Sequence, residues 1–247
     1  MSKKSYIAAV LISAGFAACN RGPVFNVEGE ISGAEGKMLY IEHSSIEGVV
    51  GLDSTKLSGD GRYHFSEARP EAPDFYRLRV DDRIINFVVD STETVNISSD
   101  YNTFSSGYSV TGSESNVKIK ELSLLQADLQ AKVNELNKSG MPAGLAQDSL
   151  FRMIESYKND VKRNYIYKEP DKASSYFALF QQLNGFMIFN PLSNKEDVKC
   201  FAAVATSLNH NYPHADRSRN LYNMVIKGMK NTRAPQTKPL EISEDMI

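Results

Sequence analysis

The residues best suited to chemistry in this chain are two cysteines, four histidines and a scatter of carboxylates. His210 and His214 stand four apart, the spacing of a metal-binding pair on a helix. Pro213 lies between them and removes the helix that would make the spacing useful, so a loop carrying two solvent histidines is expected. His43 and His64 fall in strand-like runs with no serine or cysteine motif beside them. The chain has no G-x-S-x-G elbow, no H-E-x-x-H and no Gly-rich phosphate loop. Asp53, Asp60, Asp74, Asp81, Asp82 and Asp90 sit where turns and strand ends are expected, and Asp81-Asp82-Arg83 reads as a hairpin tip rather than an acid/base pair. Asp60-Gly61 lacks the alternating acidic ligands of a calcium loop. No catalytic residue, metal site or cofactor is expected, and the chain is read as not being an enzyme.

Cys19 is different because of what precedes it. Lys3 and Lys4 make a positive start, Tyr6 to Phe16 is an uncharged, mostly apolar run, and Ala17-Ala18 are small. That is the three-part plan of a secretory signal. The run is shorter than the roughly 20 apolar residues a membrane-spanning helix needs. Phe16-Ala17-Ala18-Cys19 resembles the lipobox of bacterial lipoproteins, with Phe16 where leucine is usual. The resemblance implies that residues 1–18 are a signal peptide, and that the Cys19 thiol takes a diacylglycerol and becomes the mature N-terminus. One acyl chain gives only marginal binding, so two or three on one cysteine make attachment effectively permanent. The implied partner is a lipid bilayer, and the implied location is the cell envelope, at the periplasmic face or outer membrane. The competing reading is an ordinary cleaved signal with Cys19 incidental.

Without residues 1–18, 229 of the 247 residues remain, and loss of Lys3 and Lys4 takes the formal net charge from −2 to −4. No basic block is present, which argues against a nucleic-acid partner. With 41% hydrophobic residues the chain can bury real cores. If Cys19 is acylated, Cys200 has no partner for an intramolecular disulfide. It lies among Val198, Phe201, Ala202, Ala205 and Leu208 on one helix face, so it reads as a small core hydrophobe; a reactive lone thiol is the other reading.

The elements that position these residues follow from hydrophobic period. Residues 19–23 read as a tether. From Val24 the pattern alternates, and short strand-like runs recur: Lys37 to Glu42, Val49 to Leu57, Arg62 to Phe65, Phe75 to Val80, Ile84 to Val89, Thr94 to Ser98 and Tyr108 to Thr111. About eight strands over 24–112 predict an antiparallel β-sandwich or open barrel. The turns at Ser32–Gly36 and Ser58–Gly61 read as hairpins. Tyr40, Tyr63, Phe75 and Tyr76 could form a stacking platform on an exposed sheet, although cross-strand packing suits them too.

After Gly112 the period changes to that of helices. Leu122, Leu125, Leu129, Val133 and Leu136 mark one face of a first helix. A second runs from about Asp148, a third over Lys172 to Ile188, a fourth from a capping-box pattern at Ser193–Glu196, and a fifth from about Asp216. An antiparallel helical domain over 114–232 is expected, followed by a linker-like tail at 233–247. The fold class is α+β.

The β half also carries a broader likeness. Phe25 to Ile31, Leu39-Tyr40-Ile41, Leu52-Asp53-Ser54, Asp60 to Phe65, Phe75 to Leu78 and Val110 to Ser113 together resemble a domain of unknown function found at the front of many bacterial lipoproteins. In those proteins it is commonly followed by a helical spacer, which Asn190-Pro191 and Tyr212-Pro213 resemble, and then by a thioredoxin-like domain. The resemblance covers most of residues 24–240, and no redox cysteine of that family maps onto a residue here. It implies a compartment and a scaffold. Three functions are therefore expected in competition. The first is a non-catalytic envelope lipoprotein presenting a binding surface to an unknown protein or small ligand. The second is the front section of a thiol-disulfide oxidoreductase. The third is a glycan- or peptide-binding module.

Overall fold

The computed structural model describes residues 22–233, so Cys19, the signal segment, most of the tether and nearly all of the tail lie outside the described residues. Eight strands come first: β1 (Val24–Ser32), β2 (Met38–Ser44), β3 (Val49–Lys56), β4 (Arg62–Ala68), β5 (Asp74–Val80), β6 (Arg83–Val89), β7 (Thr94–Asp100) and β8 (Ser109–Thr111). They form two four-stranded sheets, ordered β4-β1-β7-β8 and β3-β2-β5-β6. The inward side chains of both, among them Phe25, Val27, Leu39, Ile41, Phe65 and Phe87, make one core. The α+β class with a leading sandwich is thus what the chain adopts. One pair departs from the antiparallel expectation, because β1 and β7 run parallel.

Two of the expected hairpins are absent. Strands β1 and β2 lie in different sheets, as do β3 and β4, so Ser32–Gly36 and Ser58–Gly61 are corners between sheets. Glycine-rich turns favour positive φ in both settings, and the turn residues do not reveal which strand the chain joins next. The Asp81-Asp82 tip does close a hairpin between β5 and β6, with Asp81 at φ 53°. In β1, Gly29 (φ 154°) leaves no room for a side chain, since a Cβ there would meet the Ile97 carbonyl oxygen at 2.0 Å. Tyr63, directly opposite Gly29, reaches past it and donates to that same oxygen at 2.6 Å.

The helical layer comprises α1 (Glu114–Lys138), α2 (Ala143–Val161) continued by a π-helical turn at Lys162–Ile166, α3 (Ala173–Leu179), α4 (Lys195–Asn211) and α5 (Asp216–Asn231). Helix α2 starts directly after Pro142, five residues before the expected start. The long third helix is corrected to two turns of α3 and a small hairpin, β9 (Gln182–Leu183) and β10 (Phe186–Met187). The cause is Asn184-Gly185, both with positive φ (52° and 80°), the dipeptide that favours a tight hairpin turn. Asn194, one residue later than the capping-box pattern placed it, caps α4 by accepting from Glu196 N and Asp197 N.

The layer packs on the outer face of the β3-β2-β5-β6 sheet. Phe75 and Val88 point outward, opposite to Tyr76 and Phe87, yet belong to the helical core. Asn116 of α1 accepts from the Val88 N–H (2.7 Å) and donates to the Val88 carbonyl (2.8 Å), so a helix side chain occupies the free edge of β6. Among the described residues the opposite edge has no such cover: β3 is exposed along nearly its whole length, including Val49, Val50 and Leu52.

Beyond the helices the same outer face carries a charge ladder. Glu42, buried at 6% exposure, accepts from Arg77 Nε (2.5 Å) and Arg79 Nε (2.8 Å). Burial alone would push the Glu42 carboxyl up, but hydrogen bonds from the two guanidiniums outweigh it and hold the group below the ordinary carboxylate range. A depressed folded pKa gives stability that is present above the unfolded value, about 4.3, and is lost as pH falls through the folded one. Glu42→Gln should therefore lower the urea midpoint at pH 7 and shrink the further loss seen in wild type between pH 4 and pH 2.

Candidate functional site

Alternation along β5 puts Phe75 on the outer face, where α3 lies over it. Tyr176, Phe177 and Phe180, at positions i, i+1 and i+4 of the α3 segment, meet it and one another. Phe75 stacks with Tyr176 (5.4 Å, 27°) and Phe177 (6.2 Å, 23°), and Tyr176 stacks with Phe180 (4.7 Å, 29°). Phe180 then meets Phe201 edge-on in the helical core. Phe177 ends this chain of rings and is half-buried.

Arg217, in the first turn of α5, crosses the seam to the sandwich. Its Nε lies 2.6 Å from Asp74 Oδ1, its Nη2 donates to the Ser44 carbonyl, and the guanidinium carbon sits 4.9 Å from the Phe75 ring centre and 5.4 Å from that of Tyr176. Asp74 also accepts from His43 Nε2 at 2.7 Å. Burial raises the Tyr176 phenol, and the nearby cation opposes the shift.

Of the clefts that Arg217 helps to wall, two are sizeable. One, of about 430 Å³, runs over the ring stack and is bordered by Ile46, Asn86, Gln182 and Asn220. The other, of about 500 Å³, lies beyond Asp74 against His43, Pro70, Tyr76 and His214. In the second, His43, Asp74, Asp216 and Arg219 are already engaged within the protein. In the first, the side-chain amides of Asn86, Gln182 and Asn220 make no hydrogen bond with any described residue. The arrangement can hold a ligand by ring contact and neutral hydrogen bonds. Among the described residues, those lining the cleft beside His43 and Asp74 include no serine, threonine or cysteine.

The residues singled out by sequence are dispersed by the fold. His210 (last turn of α4) and His214 are both exposed, and among the described residues no group of three or more His, Cys, Asp or Glu could hold a metal ion. Cys200 is fully buried in the helical core, 3.3 Å from the Tyr167 hydroxyl; burial raises its thiol, so it stays protonated at neutral pH. Tyr63, Phe75 and Tyr76 are buried rather than displayed as a platform, while the exposed side of Tyr40 is covered by Arg79 at 4.3 Å. Asp81 is tied to Lys37 (2.8 Å) and the Tyr101 hydroxyl (2.6 Å). Sequence reading missed Arg217 and the α3 rings as a site. Asp74 and Arg217 are 143 positions apart and no local pattern links them.

Residues 25–119 match the family model described as a domain of unknown function (DUF4369). The DUF4369 stretch takes in all eight sandwich strands and ends within α1, after Asn116 and Ile119, which join that helix to β6 and the helical core. No curated protein matches the chain. Among solved structures it is similar to the crystal structure of (S)-allantoin synthase, at 10% identity and a TM-score of 0.27, over 38% of this chain and 45% of that one. The chain thus spans under half the length of that structure, and so loose a likeness carries no argument.

Proposed function

We propose that this chain is an envelope lipoprotein held to a bilayer by acyl chains on Cys19, and that its folded layers act as a non-catalytic binding module. The anchoring half rests on the charged start, the short apolar run and Ala17-Ala18-Cys19. Among the described residues no helix is long and apolar enough to cross a membrane. The binding half rests on one observation: the seam cleft joins a ring shelf to three side-chain amides that make no hydrogen bond with any described residue. Metabolic labelling with a radiolabelled fatty acid, followed by fractionation, tests the anchor. Wild type should carry label and sediment with membranes; Cys19→Ser should lose the label and appear in the soluble fraction. Label retained by the serine variant would sink the idea.

A second reading makes these residues the front section of a thioredoxin-like thiol-disulfide oxidoreductase. The resemblance of residues 24–240 to the front and spacer of such lipoproteins favours it, and the DUF4369 match agrees with the first part of that likeness. Reading the coding DNA past codon 247 decides it, since a thioredoxin-like frame is required there.

A further inference from the structure

Resting on the binding-module reading, we infer that the seam cleft takes a neutral saccharide. Three features select that class. The first is the ring series Phe180–Tyr176–Phe75–Phe177, which ends at a half-buried phenylalanine and so offers a flat apolar surface on which another ring can be laid. The second is charge. Arg217, the lone charged side chain among the described residues lining the cleft, is engaged by Asp74 and the Ser44 carbonyl, so the described lining offers no unpaired charge to an anion or a cation. An acidic sugar, a phosphate or a charged peptide terminus would enter without a counter-ion and lose hydration.

The third feature is the hydrogen-bonding inventory. Asn86 projects from the sheet, Gln182 from β9 and Asn220 from α5, so the amides approach the cleft from three elements. Each amide offers two donors and an acceptor, which suits hydroxyls that donate and accept at once. An extended peptide would instead want an open strand edge for its backbone, and the strands that line the cleft through Phe75 and Asn86, β5 and β6, are paired with each other, with β6 met on its other side by Asn116. A cleft of about 430 Å³ with an open mouth has room for a short oligosaccharide, not merely a single small solute.

The test is calorimetric titration of the full chain with maltotriose, cellotriose and chitotriose, set against trigalacturonate and an N-acetylated tripeptide amide. At least one neutral trisaccharide should bind, and Phe177→Ala and Asn86→Ala, with wild-type circular dichroism, should each weaken it tenfold or more. Failure of all three neutral sugars at 10 mM overturns the inference, as does binding unchanged in both variants or preference for trigalacturonate. Tripeptide binding that Phe177→Ala abolishes overturns the saccharide class while leaving a binding module in place. Cys19→Ser separates the anchor from the cleft: it should bind the sugar as wild type does, whether or not Cys19 proves to be acylated.

Discussion

Asp197→Ala is expected to lower stability by about 3–5 kcal/mol, the cost of stranding a buried charge. Lys158 of α2 and Asp197 of α4 are 4% and 1% exposed, with the ammonium 2.7 and 2.8 Å from the two carboxylate oxygens. Asp197 also accepts from the Asn190 N–H at 2.7 Å, and Lys158 lies 5.4 Å from the centre of the Phe189 ring. Removing the carboxylate leaves an ammonium in an apolar core and an unsatisfied backbone donor. Removing both charges is a different matter, since an apolar pair of similar volume avoids the desolvation of two ions. The double variant Lys158→Met/Asp197→Leu should therefore recover most of the loss, short of the Asn190 bond. Urea unfolding of wild type, single and double variants measures this, and a double variant as unstable as Asp197→Ala would refute it.

Arg217→Ala should weaken the seam more than it weakens either layer. The guanidinium makes charge-assisted bonds to Asp74 and the Ser44 carbonyl and lies over two rings, so about 2–4 kcal/mol is expected from the bonds and ring contacts together. Phe75, Val88 and Asn116 still hold the layers together, so the chain should fold. What should change is cooperativity: urea unfolding, expected to be a single transition in wild type, should separate into two steps, with the m-value of each below that of the whole. Proteolysis should also begin near Ala72-Pro73 and Ala215. A variant that merely melts earlier in one step would show the contact to be local.

The sandwich was legible because its strands are short, alternate cleanly and are separated by turn residues. The pairing was less so. Ser58-Gly59-Asp60-Gly61 looks the same whether it closes a hairpin or turns a corner, and burial across sheets decides which. The third helix was misread because Tyr176, Phe177, Leu179, Phe180, Leu183, Phe186 and Met187 suit a buried helix. Asn184-Gly185, a signal present in the sequence, overrides that pattern locally. The seam was not legible at all. Phe75 reads as one ring of a sheet platform or a cross-strand pair, and only the arrival of α3 on the outer face puts it in the middle of a stack with Tyr176 and Phe177.

The clasp that Asn116 makes on Val88 also determines where the molecule can be divided. A fragment cut at Gly112, where the strand pattern stops, would strip β6 of its cover while β3 stays bare, leaving one sheet with two adhesive borders. Such a piece would be prone to edge-to-edge polymerisation. A self-sufficient fragment has to carry the opening turns of α1 with it, so the smallest separable unit is defined by a helix that the eight-stranded pattern does not contain.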